Sequence, residues 1–271
     1  FPESLGISGY KITLYVGFMQ RFKTLLSYPL SVVYYLCFGM TLVVFHPLQW
    51  LTLRLFGYTT HKKTVDLLNR VLLWCLSILG TKIEVSMPHT LPENVPLLLV
   101  SNHQSAHDIT PISWYLRQTH PKFVSKIELG KGIPSVSFNL KHGGSVLIDR
   151  KDAKQSLSAL ARFGKKLEKN NWAGVIFPEG TRSKDGVPKR FSENGLKIMI
   201  KNTPSAYLVP ITINNSWKLV SKGLFPLNIG ETLQMQVHAP VAVNSMKFAD
   251  LFQNVEATIK NAVTLPIEKQ N

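Results

Sequence analysis

The chain has 271 residues, and its 31 Lys and Arg against 16 Asp and Glu give a formal charge of +15. That length buries a full core for one catalytic domain with a smaller appendage, and the charge concentrates anionic partners such as nucleic acid, anionic lipid, phosphate-bearing cofactors and acidic carrier proteins. The two cysteines, Cys37 and Cys75, both lie in apolar segments; they exclude a disulfide framework or zinc spacing and leave a reduced, cytosol-facing catalytic domain as the expectation.

The chain opens on Phe1, not Met, so no targeting signal is read from its start. Residues 24–53 carry no charge and are rich in Leu, Val, Phe and Trp. Pro29 and Pro47 are expected to interrupt this run, leaving seventeen residues between them, which at about 1.5 Å per residue is the short limit for an upright span. Arg21 and Lys23 precede the run and Arg54, Lys62 and Lys63 follow it, positive flanks of the kind that stay cytoplasmic. A second apolar stretch covers 71–79. Residues 1–81 are therefore predicted to form a membrane-associating helical hairpin that dips into one leaflet from the cytoplasmic face, with Tyr34, Tyr35, Trp50 and Trp74 at interfacial depth. The competing reading is a buried hairpin of a soluble protein.

After a turn-rich linker at 87–96, short apolar runs alternate with amphipathic stretches, the pattern of an α/β domain over 82–271. Strands are predicted at 82–86, 97–101, 123–126, 145–148, 174–177, 207–213 and 233–238. A helix is predicted from an Asp152 N-cap, with Leu157, Leu160, Gly164 and Leu167 inward and Lys154, Arg162, Lys165, Lys166 and Lys169 outward. A last helix follows Ser245, with Phe248, Leu251, Phe252, Val255 and Ile259 on one side.

His103 follows the apolar strand 97–101 and so emerges at a strand end, a usual place for catalytic groups in open α/β sheets. Three readings compete for it. In one, His103 is a base whose second nitrogen is held by Asp108, five residues on. In another, His103 and His107 bind a metal at i, i+4 spacing, although further ligands, such as Cys or an intervening Glu, are missing. In the third they are structural. Downstream, residues 174–183 read as an apolar strand broken by Pro178, then Glu179-Gly180-Thr181-Arg182: a glycine permitting close backbone approach and an arginine suited to bidentate phosphate binding. Residues 143–150 form a strand that delivers Arg150 at its end, and 208–213 a buried strand kinked by Pro210.

His103-x4-Asp108, Ile148-Asp149-Arg150, Phe177-Pro178-Glu179-Gly180-Thr181-Arg182 and Val209-Pro210-Ile211 stand in the order and spacing of the glycerolipid acyltransferase family, and the chain from Lys82 onward resembles its bacterial 1-acyl-sn-glycerol-3-phosphate acyltransferases. The apolar hairpin is similar to that family's membrane-embedding helices. The resemblance implies a single mixed-sheet domain flanked by helices, with His103 as the base, Asp108 orienting it, and Arg150, Glu179, Gly180, Thr181 and Arg182 around the acceptor's phosphate. Glu179 is expected to orient Arg182 or to hold a glycerol hydroxyl, since a bare carboxylate repels phosphate, and Pro210 to lie near the acyl chain or its channel. It further implies acyl-CoA or acyl-ACP as co-substrate, no metal or other cofactor, and a lysophospholipid acceptor. One departure stands out: the family's Phe-Lys-x-Gly continuation reads Lys189-Arg190-Phe191-Ser192-Glu193-Asn194-Gly195 here, which leaves a lyso-aminolipid as an alternative acceptor, with Lys189 and Arg190 as substitute cations. The alternative from another class is a non-catalytic basic protein that binds membranes or nucleic acid. No recognised nucleic-acid motif supports the latter, and neither calls for His103, Asp108 and 179–182 together.

Overall fold

The computed structural model describes residues 4–265; the first three residues of the expected hairpin and the last six of the expected catalytic segment lie outside that range. The N-terminal apolar segment forms α1 (Ser4–Ser77), and neither Pro29 nor Pro47 ends it, contrary to expectation. A proline inside a helix removes a backbone bond and costs about 3 kcal/mol, which tertiary packing offsets. Near Pro47, Leu42 and Phe45 pack on Leu68 and Leu72. Ser135 also donates through Oγ to Leu42 O at 2.6 Å and through its N–H to His46 Nδ1 at 3.0 Å. The helix breaks at Gly57 instead, whose φ of 76° and ψ of −170° suit only a residue without a side chain. Residues flanking the break meet across it: Thr64 Oγ1 donates to Thr52 Oγ1 at 3.3 Å, and Thr41 Oγ1 lies 3.8 Å from Cys75 Sγ.

Burial along α1 follows the helical repeat, with an unusual distribution of polarity. Ser27, Ser31, Tyr34, Leu42, Phe45 and Gln49 are buried, whereas Phe18, Phe22, Leu25, Leu36, Met40, Val43 and Leu55 are exposed. The outward stripe is the more apolar of the two, the reverse of a helix that faces water.

The sheet runs in the order β1 (Lys82–Ser86), β7 (Thr232–Val237), β6 (Tyr207–Asn214), β2 (Leu97–Ser101), β5 (Ala173–Ile176), β3 (Lys122–Lys126), β4 (Val146–Ile148), with the two-residue β8 (Val241–Ala242) paired to β6. The β6–β7 and β6–β8 pairs are antiparallel and the others parallel, so the sheet is mixed. Seven strands fall within one or two residues of their predicted places; β8 is too short to carry a repeat. Helices cover both faces, which is why β2 is apolar at four successive positions. Alternation along β2 divides the core. Leu97 and Leu99 join Tyr34 and Leu76 of α1, Leu79 just beyond it, and Ile112 of α2 (Ile109–Tyr115). Leu98 and Val100 face Phe163 and Leu167 of α4 (Ala153–Asn170), Leu196 and Met199 of α5 (Glu193–Lys201), and Leu251 and Val255 of α6 (Phe248–Asn261). The remaining helix, α3 (Val136–His142), packs beside α1.

Asp152 caps α4 as expected, accepting the Gln155 N–H at 2.9 Å. Leu157, expected inward, is exposed. The covered stretch begins at Ala159, where α5 crosses, and Gly164 admits Met199 and Asn202 at distances a side chain would block. Gly174 is tighter still: a Cβ there would stand 2.3 Å from Leu167 Cδ1 and 2.9 Å from Met199 Cε, both fully buried. Gly174→Ala should therefore lower unfolding stability by about 1–3 kcal/mol through overpacking, read from denaturant midpoints.

Candidate active site

Parallel pairing brings the C-terminal ends of the central strands to one edge. Val100 of β2 pairs with Ile176 of β5 and Ser101 with Ile211 of β6, so the segments leaving these strands emerge together. Asn102 locks the first of them in place, its side chain exchanging two bonds with the Ile213 backbone at 2.8 and 2.7 Å. His103 then leaves the sheet. Its ring stacks on Phe177, which leaves β5, at 4.1 Å between centroids and 20° between planes.

Asp108 is fully buried and sits at the start of the next helical turn. Its Oδ2 lies 2.8 Å from His103 Nδ1 and accepts the N–H groups of Gln104 at 2.7 Å and Ser105 at 3.0 Å. Its Oδ1 accepts the hydroxyls of Ser216 and Ser105. Burial alone would raise this carboxyl. The hydrogen bond and charge of His103, with the bonds from Ser216 and Ser105, outweigh it and hold Asp108 below the ordinary carboxylate range. An ionised carboxylate only accepts, so Nδ1 carries the proton and Nε2 of the neutral ring keeps its lone pair. That is the tautomer of a base.

A second loop is bonded directly to the first. Phe177-Pro178-Glu179-Gly180 forms a turn closed by the Gly180 N–H on Phe177 O at 3.0 Å, with Pro178 at its second position. Glu179 Oε1 accepts the His103 N–H at 2.8 Å and Oε2 the Lys189 N–H at 2.8 Å, while Ser183 N–H donates to His103 O at 2.7 Å. Burial raises the Glu179 carboxyl in spite of those two donors. Cations gather on the loop: Arg150 donates to Gly180 O, and Lys189 Nζ to Thr181 Oγ1 at 2.8 Å and Arg182 O at 2.9 Å. Arg150, Thr181, Arg182 and Lys189 are all exposed.

A family model described as Acyltransferase matches residues 82–214, which contain every one of these groups except Ser216. The 1-acyl-sn-glycerol-3-phosphate acyltransferase of Helicobacter pylori is 38% identical over 125 residues, 45% of this chain and 50% of that protein. Residues 82–214 thus form an acyltransferase-family segment. A chloroplastic 1-acyl-sn-glycerol-3-phosphate acyltransferase of Brassica napus is 33% identical over 165 residues, 59% of this chain and 45% of that one, so the chain spans about half the length of these curated relatives. The crystal structure of PlsC, the 1-acyl-sn-glycerophosphate acyltransferase of Thermotoga maritima, shares the family fold. It superposes with a TM-score of 0.72 at 22% identity, covering 89% of this chain and 95% of that one.

Most of the residues singled out from the motifs converge here, with three differences. Glu179 spends both oxygens on backbone N–H groups and braces His103 against Lys189, where it was expected to orient Arg182 or a glycerol hydroxyl. Pro210 is buried in β6 opposite Val100, and its carbonyl accepts the His238 N–H at 3.0 Å. It occupies the gap between the β8 and β7 pairings, where a missing N–H breaks no ladder bond. His107 packs its ring against Tyr34 of α1, 6.1 Å between ring centroids. Sequence reasoning missed Ser216, 108 residues from Asp108, and nothing in its local context marks it. The acidic departure, Glu193, lies exposed in the first turn of α5, where a carboxylate complements the helix dipole.

Because the folded pKa of Asp108 is depressed, its contribution to stability is complete above the ordinary value of 3.8 and is lost as pH falls through the lower folded value. Asp108→Asn should cost about 1–3 kcal/mol at neutral pH by leaving donors poorly matched. The gap from wild type should narrow below the ordinary carboxylate range, a trend that unfolding in detergent at several pH values would test.

Proposed function

We propose that this protein transfers a fatty acyl group from a pantetheine thioester, carried by coenzyme A or acyl carrier protein, to the free hydroxyl of 1-acyl-sn-glycerol-3-phosphate, making phosphatidic acid for phospholipid synthesis. One observation carries the reading: His103, bonded through Nδ1 to the buried Asp108, is joined to a loop that gathers Arg150, Arg182 and Lys189. The names of the Helicobacter and Brassica relatives support the same acceptor.

In this mechanism Nε2 of His103 takes the proton of the acceptor hydroxyl as its oxygen attacks the thioester carbonyl. Asp108 stabilises the imidazolium that results. The tetrahedral intermediate collapses by breaking the carbon–sulfur bond, and the departing thiolate recovers the proton from His103, so no acyl-enzyme forms. Arg150 and Arg182, with the Gly180 and Thr181 backbone, hold the acceptor's phosphate, and Lys189 adds the cation that the departure from the family pattern left in question. Glu179 positions His103 and the loop; Pro210 acts from within the sheet by shaping β6 beside β2. With Glu193 placed on the α5 surface, the departure gives little support to a phosphate-free lyso-aminolipid acceptor.

We further propose that residues 1–81 form the membrane-associating hairpin of the enzyme and 82–271 its catalytic unit, with the two limbs of α1 folded together at Gly57 and inserted into one leaflet from the cytoplasmic face. The apolar outward stripe and the basic flanks support this orientation.

His103→Ala should reduce acyl transfer to lysophosphatidic acid by about 10²–10⁴-fold while leaving sedimentation with membranes unchanged. Arg182→Ala should raise the acceptor KM more than the donor KM, with a smaller effect on a phosphate-free acceptor. Equal losses on both acceptors, or acylation of a hydroxy-acyl amino acid as fast as lysophosphatidic acid, would overturn the assignment of the acceptor.

A further inference from the structure

Building on that membrane reading, we infer that the loop at 221–226 is a second lipid-inserting element, which fixes how the catalytic domain sits on the bilayer. Leu224 is 74% exposed and Phe225 50% exposed, two large apolar side chains side by side at a loop tip. The tip is held firmly. The Tyr35 hydroxyl donates to Leu224 O, the Leu227 N–H donates to Ser31 Oγ at 2.9 Å, and Lys222 Nζ donates to Thr24 Oγ1 at 3.0 Å. The Phe225 ring packs edge-on against Tyr28 at 5.7 Å.

Ordering a loop costs conformational entropy, and here the order serves to present apolar groups outward. Their surroundings identify what covers them. The tip lies against the same α1 turns that expose Phe22, Leu25 and Val32, so it widens an apolar surface already facing lipid. Exposed Lys222 borders this surface on the loop, as Arg21 and Lys23 do on α1, which suits anionic headgroups at the margin of an inserted patch.

The loop is also tied to the chemistry. It continues from the 3-10 turn Ser216–Val220, whose first residue donates to Asp108. α1 meets the active-site segment through Tyr34 and His107, and meets the loop tip at Tyr28. These two contacts are about 9 Å apart along the helix at 1.5 Å per residue. Uptake of the tip by the bilayer therefore sets the height of His103 relative to the acyl chains.

The test places a fluorophore on Leu224→Cys, on Val43→Cys in α1 and on Lys165→Cys in α4, each in a background with Cys37 and Cys75 replaced by Ala that retains turnover. The proteins are reconstituted in vesicles of equal parts phosphatidylcholine and phosphatidylglycerol bearing a nitroxide on the acyl chain. Positions 224 and 43 should be quenched several-fold more than position 165. Quenching at 43 with none beyond the Lys165 level at 224 would overturn the inference and leave the membrane reading standing; no quenching at either would overturn both. A second measurement guards the functional link: Leu224→Ser with Phe225→Ser should lower turnover several-fold on vesicle-borne lysolipid and leave turnover on a short-chain, monomeric acceptor unchanged. An equal loss on both would make the tip structural and overturn its role in setting height.

Discussion

A fully buried carboxylate stays ionised only if it is surrounded by donors, and the requirement of Asp108 for donors organises this site. Gln104, Ser105 and His103 supply it from the adjoining turn, and Ser216 from beyond the end of β6. The bonds act in two directions. They hold the carboxyl below its ordinary range, and the ionised carboxylate in turn dictates which nitrogen of His103 carries the proton. Neither effect would survive if the β2 and β6 ends were displaced, so the Asn102–Ile213 bonds between them are part of the same constraint.

The cationic loop obeys a related logic. A buried carboxylate is costly unless its charge is engaged, and Glu179 is engaged by two backbone N–H groups. Its position ties the loop to the His103 segment, so the proposed phosphate site would stand at a set distance from the imidazole. Arg150 and Lys189 are drawn in by carbonyl and hydroxyl oxygens of the loop, and they bring positive charge to it.

The relation between α1 and the sheet follows from where apolar surface remains. One side of the helix joins the core that contains Leu97, Leu99 and Val209, and this side includes serines and Gln49; over residues 24–53 the side left over is almost wholly hydrocarbon. Packing against the domain is also what keeps the helix continuous through two prolines. Local propensity predicted interruptions there, because it contains no information about Ser135 or about the Leu42–Leu72 contacts that compensate.

From the residues alone, the strand positions, the Asp152 cap, the proximity of His103 to Asp108 and the apolar character of the first eighty or so residues could all be read. Each depends on neighbours within a few positions, or on a repeat that burial imposes on consecutive residues. Tertiary structure alone decided the donation from Ser216, the bracing by Glu179, the exposure of Leu157 and the meeting of loop 221–226 with α1. Those outcomes join positions far apart in the chain or depend on where a covering helix ends, and the order of strands in the sheet, which no local pattern encodes, determines which of them meet.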